Sequence, residues 1–139
     1  AVAPQMVARG QGGKIINAAS KAGKTPSRYA ALGAYSTTKH GVIGFTRSLA
    51  MELAPARINV NCFCPGIVDT EMWNQIDAGM AALHGGSRPS SREAAVADIP
   101  MGRMDTPEGV AKLVAFLASS ESDYMTGQAL NLTGGMEMH

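Results

Sequence analysis

No glycine-rich turn of the kind that cradles a pyrophosphate between a strand and a helix opens this chain. Cysteine is scarce: Cys62 and Cys64 are the only two. Two apart on a strand they share a face, yet lie too close along the chain for an ordinary bridge. They read as buried small hydrophobes in a reducing compartment. With no His or Cys partner at ligand spacing, no metal is expected. Charge of one sign is also missing. Twelve Lys and Arg against 11 Asp and Glu leave a net charge of +1 with no basic run, so neither nucleic acid nor an anionic membrane surface is an expected partner. No apolar run approaches the roughly 18 residues of a membrane span, and no signal-peptide pattern opens the sequence. The expected location is cytoplasmic. Internal repeats and low-complexity tracts are absent. The three histidines, His40, His84 and His139, are scattered and read as solvated or packing residues.

Against these absences stands one dense stretch, Ser20 to Lys39. Lys14-Ile15-Ile16-Asn17-Ala18-Ala19 is a β-type run that ends on Ser20. Tyr35 and Lys39 open a long helical pattern and lie about one turn apart, so their side chains point the same way. A phenol ordinarily keeps its proton until about pH 10. An ammonium close by favours the phenolate and brings a phenol into the range where it exchanges a proton with an alcohol or carbonyl oxygen. A serine hydroxyl can hold that same oxygen by a second hydrogen bond. Such a trio moves protons but stores no electrons, so redox chemistry there requires a hydride-carrying cofactor.

Four segments in this order resemble the short-chain dehydrogenase/reductase family. They are Asn17-Ala18-Ala19-Ser20-Lys21-Ala22-Gly23, Tyr35-x-x-x-Lys39, Val60-Asn61-Cys62-Phe63-Cys64-Pro65-Gly66-Ile67-Val68-Asp69-Thr70 and Ile99-Pro100-Met101-Gly102-Arg103. The likeness covers the whole chain but matches only the C-terminal half of a family member. Residues 1–139 are thus expected to be the C-terminal part of one Rossmann-type dehydrogenase domain, inactive alone. Within the family the sequence is most similar to the acetoin reductase and 2,3-butanediol dehydrogenase group, through Cys64-Pro65-Gly66-Ile67-Val68, Met72-Trp73, Ile76-Asp77 and Ser122-Asp123-Tyr124-Met125-Thr126-Gly127-Gln128. Polyol (sorbitol-like) and 3-oxoacyl enzymes of the family are the alternatives, as is a non-catalytic binding or subunit-contact module. The resemblance implies NAD or NADP as cofactor, with NAD favoured, a small alcohol or ketone as substrate, and a homo-oligomeric parent, tetramer or dimer. It implies catalytic Ser20, Tyr35 and Lys39. Tyr35, Lys39, Pro65, Gly66, Ile67 and Thr70 are implied at the cofactor, and Ser20, Lys21, Met72 and Trp73 at the substrate. The spacing of 15 from Ser20 to Tyr35 exceeds the family's usual one, an insertion that loops absorb cheaply.

The expected fold is α/β: three parallel strands with helices on both faces, the C-terminal half of a doubly wound sheet. Residues 1–9 read as a helix ended by Gly10-Gln11-Gly12-Gly13. Lys14–Ala19 reads as a buried parallel strand and Lys21–Gly33 as a loop. Tyr35 to Ala54 reads as a helix whose apolar stripe is Val42, Phe45, Leu49 and Leu53, with Ile43 flanking. Gly41 and Gly44 are read as places where a backbone or cofactor comes close. Pro55 ends this helix, and the resemblance places Arg57 where the family often has glycine, a position that a left-handed conformation suits. Ile58–Cys64 reads as a second strand, Val60, Cys62 and Cys64 alternating against Asn59 and Asn61. Ser20 and Pro65-Gly66 then sit at strand carboxyl ends facing one crevice. By the resemblance, residues 71–98 are the substrate lid: Glu71–Met80 reads as helical, Leu83–Ser91 as mobile, and Met72 and Trp73 as an apolar wall, with plain packing the alternative for Trp73. Thr106 is the expected cap of a helix with Pro107 at its first position and Glu108 in its first turn. Val110, Leu113, Val114 and Leu117 form its core stripe. Gly127–Thr133 is the last strand, closed by Gly134-Gly135.

Overall fold

β-Branched and small residues in consecutive positions drive the sheet. Strand β1 (Gly13–Ala18) pairs in parallel with β2 (Ile58–Pro65), Gly13 opposite Ile58 through Ala18 opposite Phe63. Strand β3 (Ala129–Leu132) pairs in parallel with the other side of β2, from Cys62 opposite Ala129 to Pro65 opposite Leu132. The order is β1-β2-β3. The computed structural model describes residues 2–25, 32–75, 78 and 91–139.

Parallel neighbours need crossovers. Helix α1 (Val2–Arg9) precedes β1, and α2 (Gly33–Leu53) joins β1 to β2. Residues 71–75 are helical, α3 is Ser91–Ala97, and α4 (Pro107–Ala118) leads back to β3. On one face, Ile58 and Val60 pack with Ala50 and Leu53 of α2 and with Ala3 and Met6 of α1. Cys62 and Cys64 continue that face against Ile43 and Ala19. The other face carries α4, which touches β1 and β2.

The α2 stripe is one residue away from the expected one. Its buried residues are Ile43, Thr46, Ala50 and Leu53, whereas Phe45 is 60% exposed. One residue is about 100° of rotation. Thr46 disguises the face: its hydroxyl donates to Val42 O (2.8 Å) and accepts from Asn17 Nδ2 (3.0 Å), so a polar residue is satisfied in the core. Gly41 and Gly44 have nothing within 4 Å of where a Cβ would stand, so no described part of the chain approaches them.

Asn61 also departs from simple alternation, being 1% exposed. Its Nδ2 donates to Met125 O (2.8 Å) and its Oδ1 accepts from Gln128 N–H (3.0 Å). Two strand asparagines thus lace the loop before β3 to the sheet, since Asn59 Nδ2 donates to Asp123 O (3.1 Å). The expected lid holds a helix, α3, that periodicity did not reveal; Ser91, read as part of a mobile stretch, begins it. Residues 76–77 and 79–90, with the expected mobility of 83–90, His84 and the rest of the helix read after residue 75, lie outside the described residues.

Helix starts and stops follow local chemistry. Thr106 Oγ1 accepts from Gly109 N–H (3.1 Å), with Pro107 at the first helical position. After α2, Ala54–Ala56 tightens into a 3-10 turn and Arg57 adopts φ 57°, ψ 35°. Gly12 (φ +71°) makes room for that turn, because a Cβ there would lie 2.6 Å from Arg57 O. No described helix is long and apolar enough to cross a membrane.

Candidate active site

The three strands run parallel, so Ser20, Pro65-Gly66 and Thr133 come out at one edge of the sheet. Ala19 N–H extends the β1 ladder by donating to Phe63 O (2.9 Å). Ser20 then caps a 3-10 turn, Lys21–Gly23, its Oγ accepting from Ala22 N–H (3.2 Å). A hydroxyl used as an acceptor still has its proton to donate.

This turn is pressed against α2. A Cβ on Gly23 would lie 2.7 Å from Lys39 C, so only glycine allows the approach. His40 Nδ1 lies 2.7 Å from Gly23 O; a carbonyl only accepts, so that nitrogen carries the proton. His40 is therefore a packing residue with a specific task. Lys39 Nζ donates to Ala18 O (3.0 Å) at the end of β1 and stands 5.6 Å from the centre of the Tyr35 ring. The ammonium thereby joins the phenol-bearing helix to the serine-bearing strand. Tyr35 lies in the first turn of α2 and is 44% exposed, so its ring is open to a ligand. The helix N-terminus adds partial positive charge there.

The end of β2 is built differently. Gly66 N–H donates to Leu132 O (2.9 Å), Ile67 O accepts from Asp105 N–H (3.0 Å), and Asp69 N–H donates to Asp105 O (2.8 Å). The Ile67 carbonyl accepts that one bond and keeps a second lone pair, and its side chain packs with Trp73 on Ala95, Ile99 and Met104. Thr70 O accepts from Trp73 N–H (3.0 Å). Trp73 is half-buried in that cluster, whereas Met72 is 63% exposed. Asp69 pairs with Arg92, tying α3 to this loop. Lys21 serves the Ser20 turn through its carbonyl, which accepts from Lys24 and Thr25.

A hollow of about 230 Å³ lies beside the trio, lined by Ala22, Gly23, Lys24, Ser36, Thr37 and His40. Neither Ser20, Tyr35 nor Lys39 lines it, so it is a neighbour of the chemistry and not its seat. The thiols under α2 are free and buried. Contact with Cys62 and burial push the Cys64 thiol up, so it stays protonated and inert. Gly23, Lys24 and His40 were not singled out from the sequence as site residues. Their contacts join segments far apart in the chain, and only Gly23, beside Ser20, carries a local signal.

A family model described as enoyl-(acyl carrier protein) reductase matches residues 1–137. The chain is 46% identical over 137 residues to a diacetyl reductase [(S)-acetoin forming] of Staphylococcus epidermidis, covering 98% of this chain and 52% of that protein. It is 48% identical over 124 residues to an L-2,3-butanediol dehydrogenase of Corynebacterium glutamicum, covering 89% and 47%. Among solved structures, L-sorbose reductase from Gluconobacter frateurii, complexed with NADPH and L-sorbose, superposes with a TM-score of 0.85 at 32% identity, over 99% of this chain and 51% of that one. The chain spans about half the length of the curated relatives it matches.

Proposed function

The chain belongs to the short-chain dehydrogenase/reductase family, and from that premise we propose that it carries the proton-transfer half of a nicotinamide-dependent oxidoreductase that interconverts a secondary alcohol and a ketone. One observation carries the reading: Lys39 bridges the Tyr35 ring and the strand end two residues before Ser20. Tyr35 exchanges the proton with the substrate oxygen. Ser20 donates a second hydrogen bond to that oxygen. Lys39 stands beside the Tyr35 ring, 5.6 Å from its centre, and reaches toward the nicotinamide ribose. The cofactor, NAD or NADP, supplies or takes up the hydride.

The residues present fit the nicotinamide end of such a cofactor. An exposed phenol, an ammonium and the ends of β1 and β2 converge at one edge of a parallel sheet. Pro65, Gly66, Ile67 and Thr70 border that end. The carbonyl of Ile67 accepts from Asp105 N–H and keeps its second lone pair; with the Thr70 hydroxyl and main-chain N–H groups it can make the carboxamide contact. Among the described residues no glycine-rich turn cradles a pyrophosphate.

Lys21, Met72 and Trp73 flank the substrate. A bulky wall beside Thr70, together with the likeness to the diacetyl and butanediol enzymes, favours acetoin, diacetyl or 2,3-butanediol. The exposure of Met72 supports a second reading, a longer polyol or ketose, because it leaves Trp73 as the more closed of the two wall residues. A panel of ketones and alcohols with either cofactor, assayed on a full-length enzyme carrying this chain, separates the two. Small vicinal substrates are expected to be turned over best, and Trp73→Ala to widen acceptance toward larger ketones. A preference for polyols selects the second reading, and a preference for long acyl ketones rejects both.

A further inference from the structure

Lys24 makes contacts that the proposed chemistry does not call for. Its Nζ donates to Ala129 O on β3 (2.9 Å) and to His139 O in the tail (2.7 Å), across sequence separations of 105 and 115. An ammonium has three protons and no acceptor, so two are spent on these carbonyls, and charge-assisted bonds of this kind are the strong ones.

The tail is itself anchored. Glu137 N–H donates to Thr133 Oγ1 (3.2 Å), and that hydroxyl donates to Glu137 O (3.3 Å). Asn131 Nδ2 donates to Glu137 O (3.3 Å) and His139 O (3.0 Å). Its amide must face this way, because its oxygen could not donate to either carbonyl. The Glu137 side chain is 3% exposed and holds the His139 ring at 3.0 Å.

The other end of Lys24 belongs to the Ser20 turn. Lys24 N–H donates to Lys21 O (2.8 Å), Gly23 N–H to Ser20 O (2.9 Å), and Ala22 N–H to Ser20 Oγ. His40 grips the same turn from α2 through Gly23 O. We propose that Lys24 is a positioning residue that clamps the Ser20 turn to β3 and the tail, so that residues 131–139 help set where the Ser20 hydroxyl points. The consequence for catalysis rests on the reading of Ser20 given above; the clamp itself does not.

Residue-resolved amide hydrogen exchange on the whole chain tests this without any turnover assay. Lys24→Met is expected to speed exchange at Ala22, Gly23 and Lys24 by about tenfold or more, as local opening does. The β2 amides of Val60 and Cys62 should keep their protection. Lys24→Arg should restore most of the lost protection. Asn131→Ala, which frees the tail and leaves Lys24 in place, should loosen the same turn. Unchanged turn amides in Lys24→Met overturn the proposal. Equal acceleration in β2, or no rescue by arginine, also overturns it, since either means general destabilisation. A loosened turn with unchanged turnover in a full-length enzyme would uphold the clamp and count against the role of Ser20.

Discussion

Arg57 holds a left-handed backbone, φ 57°, the only non-glycine residue among those described to do so. The conformation costs an L-residue about 1–2 kcal/mol, and glycine avoids it at some cost in backbone entropy. Arg57 recovers little, since its Nη2 bond to Gly10 O (3.1 Å) is exposed. Arg57→Gly should therefore raise stability by about 0.5–1 kcal/mol, seen as a higher melting temperature; an unchanged or lower value would mean the guanidinium contact matters more than the strain. This position was readable from the family resemblance, which places glycine there, after the helix that Pro55 ends. The Tyr35 and Lys39 pairing was readable too, because helical spacing alone brings them together. Thr46 was not. Its hydroxyl hides in the core through Asn17, a partner 29 residues away, and no local pattern announces such a pair. Lys24 is hidden for the same reason at greater distance.

At the scale of elements, local signals gave the start of α4 and blurred the face of α2. Thr106, Pro107 and Glu108 are a start signal that needs no tertiary partner, and the helix begins there. Thr106→Ala should cost about 1 kcal/mol, within a range of roughly 0.5–2; thermal or denaturant unfolding checks it, and a change near zero would show that Pro107 alone sets the start. The α2 stripe needed knowledge of which polar residues find partners, so apolar Phe45 was favoured over Thr46. Helix α3 was missed because seven residues are too few for a periodic signal. Alternation against Val60 and Cys62 does not reveal that Asn61 is buried, because the loop that covers it follows α4 in the chain. The parallel arrangement and the shared edge of Ser20 and Pro65-Gly66 were legible, since strands joined by helices leave few alternatives.

For the whole molecule, β1 and β3 are the outer strands of a three-stranded sheet, and an outer strand offers unpaired backbone groups to another chain. Phe45 and Met51 add apolar surface on α2, at 60% and 82% exposure. The chain should therefore self-associate, which size-exclusion chromatography with light scattering will show as a mass above that of one chain; a clean monomer would mean that these surfaces are tolerated. The long α2 helix is the face we expect between subunits of a full-length homo-oligomer. With no phosphate cradle among the described residues, calorimetry should find only weak binding of NAD or NADP to this chain. The proposed function depends on one claim, that Tyr35 is the group that exchanges the proton. The most direct test is Tyr35→Phe in a full-length enzyme carrying this chain, with turnover and cofactor binding measured on the same preparation. The expected result is turnover lowered by about 10²–10⁴-fold, as loss of general acid–base catalysis requires, with cofactor affinity nearly unchanged; turnover close to that of the unaltered enzyme would contradict it.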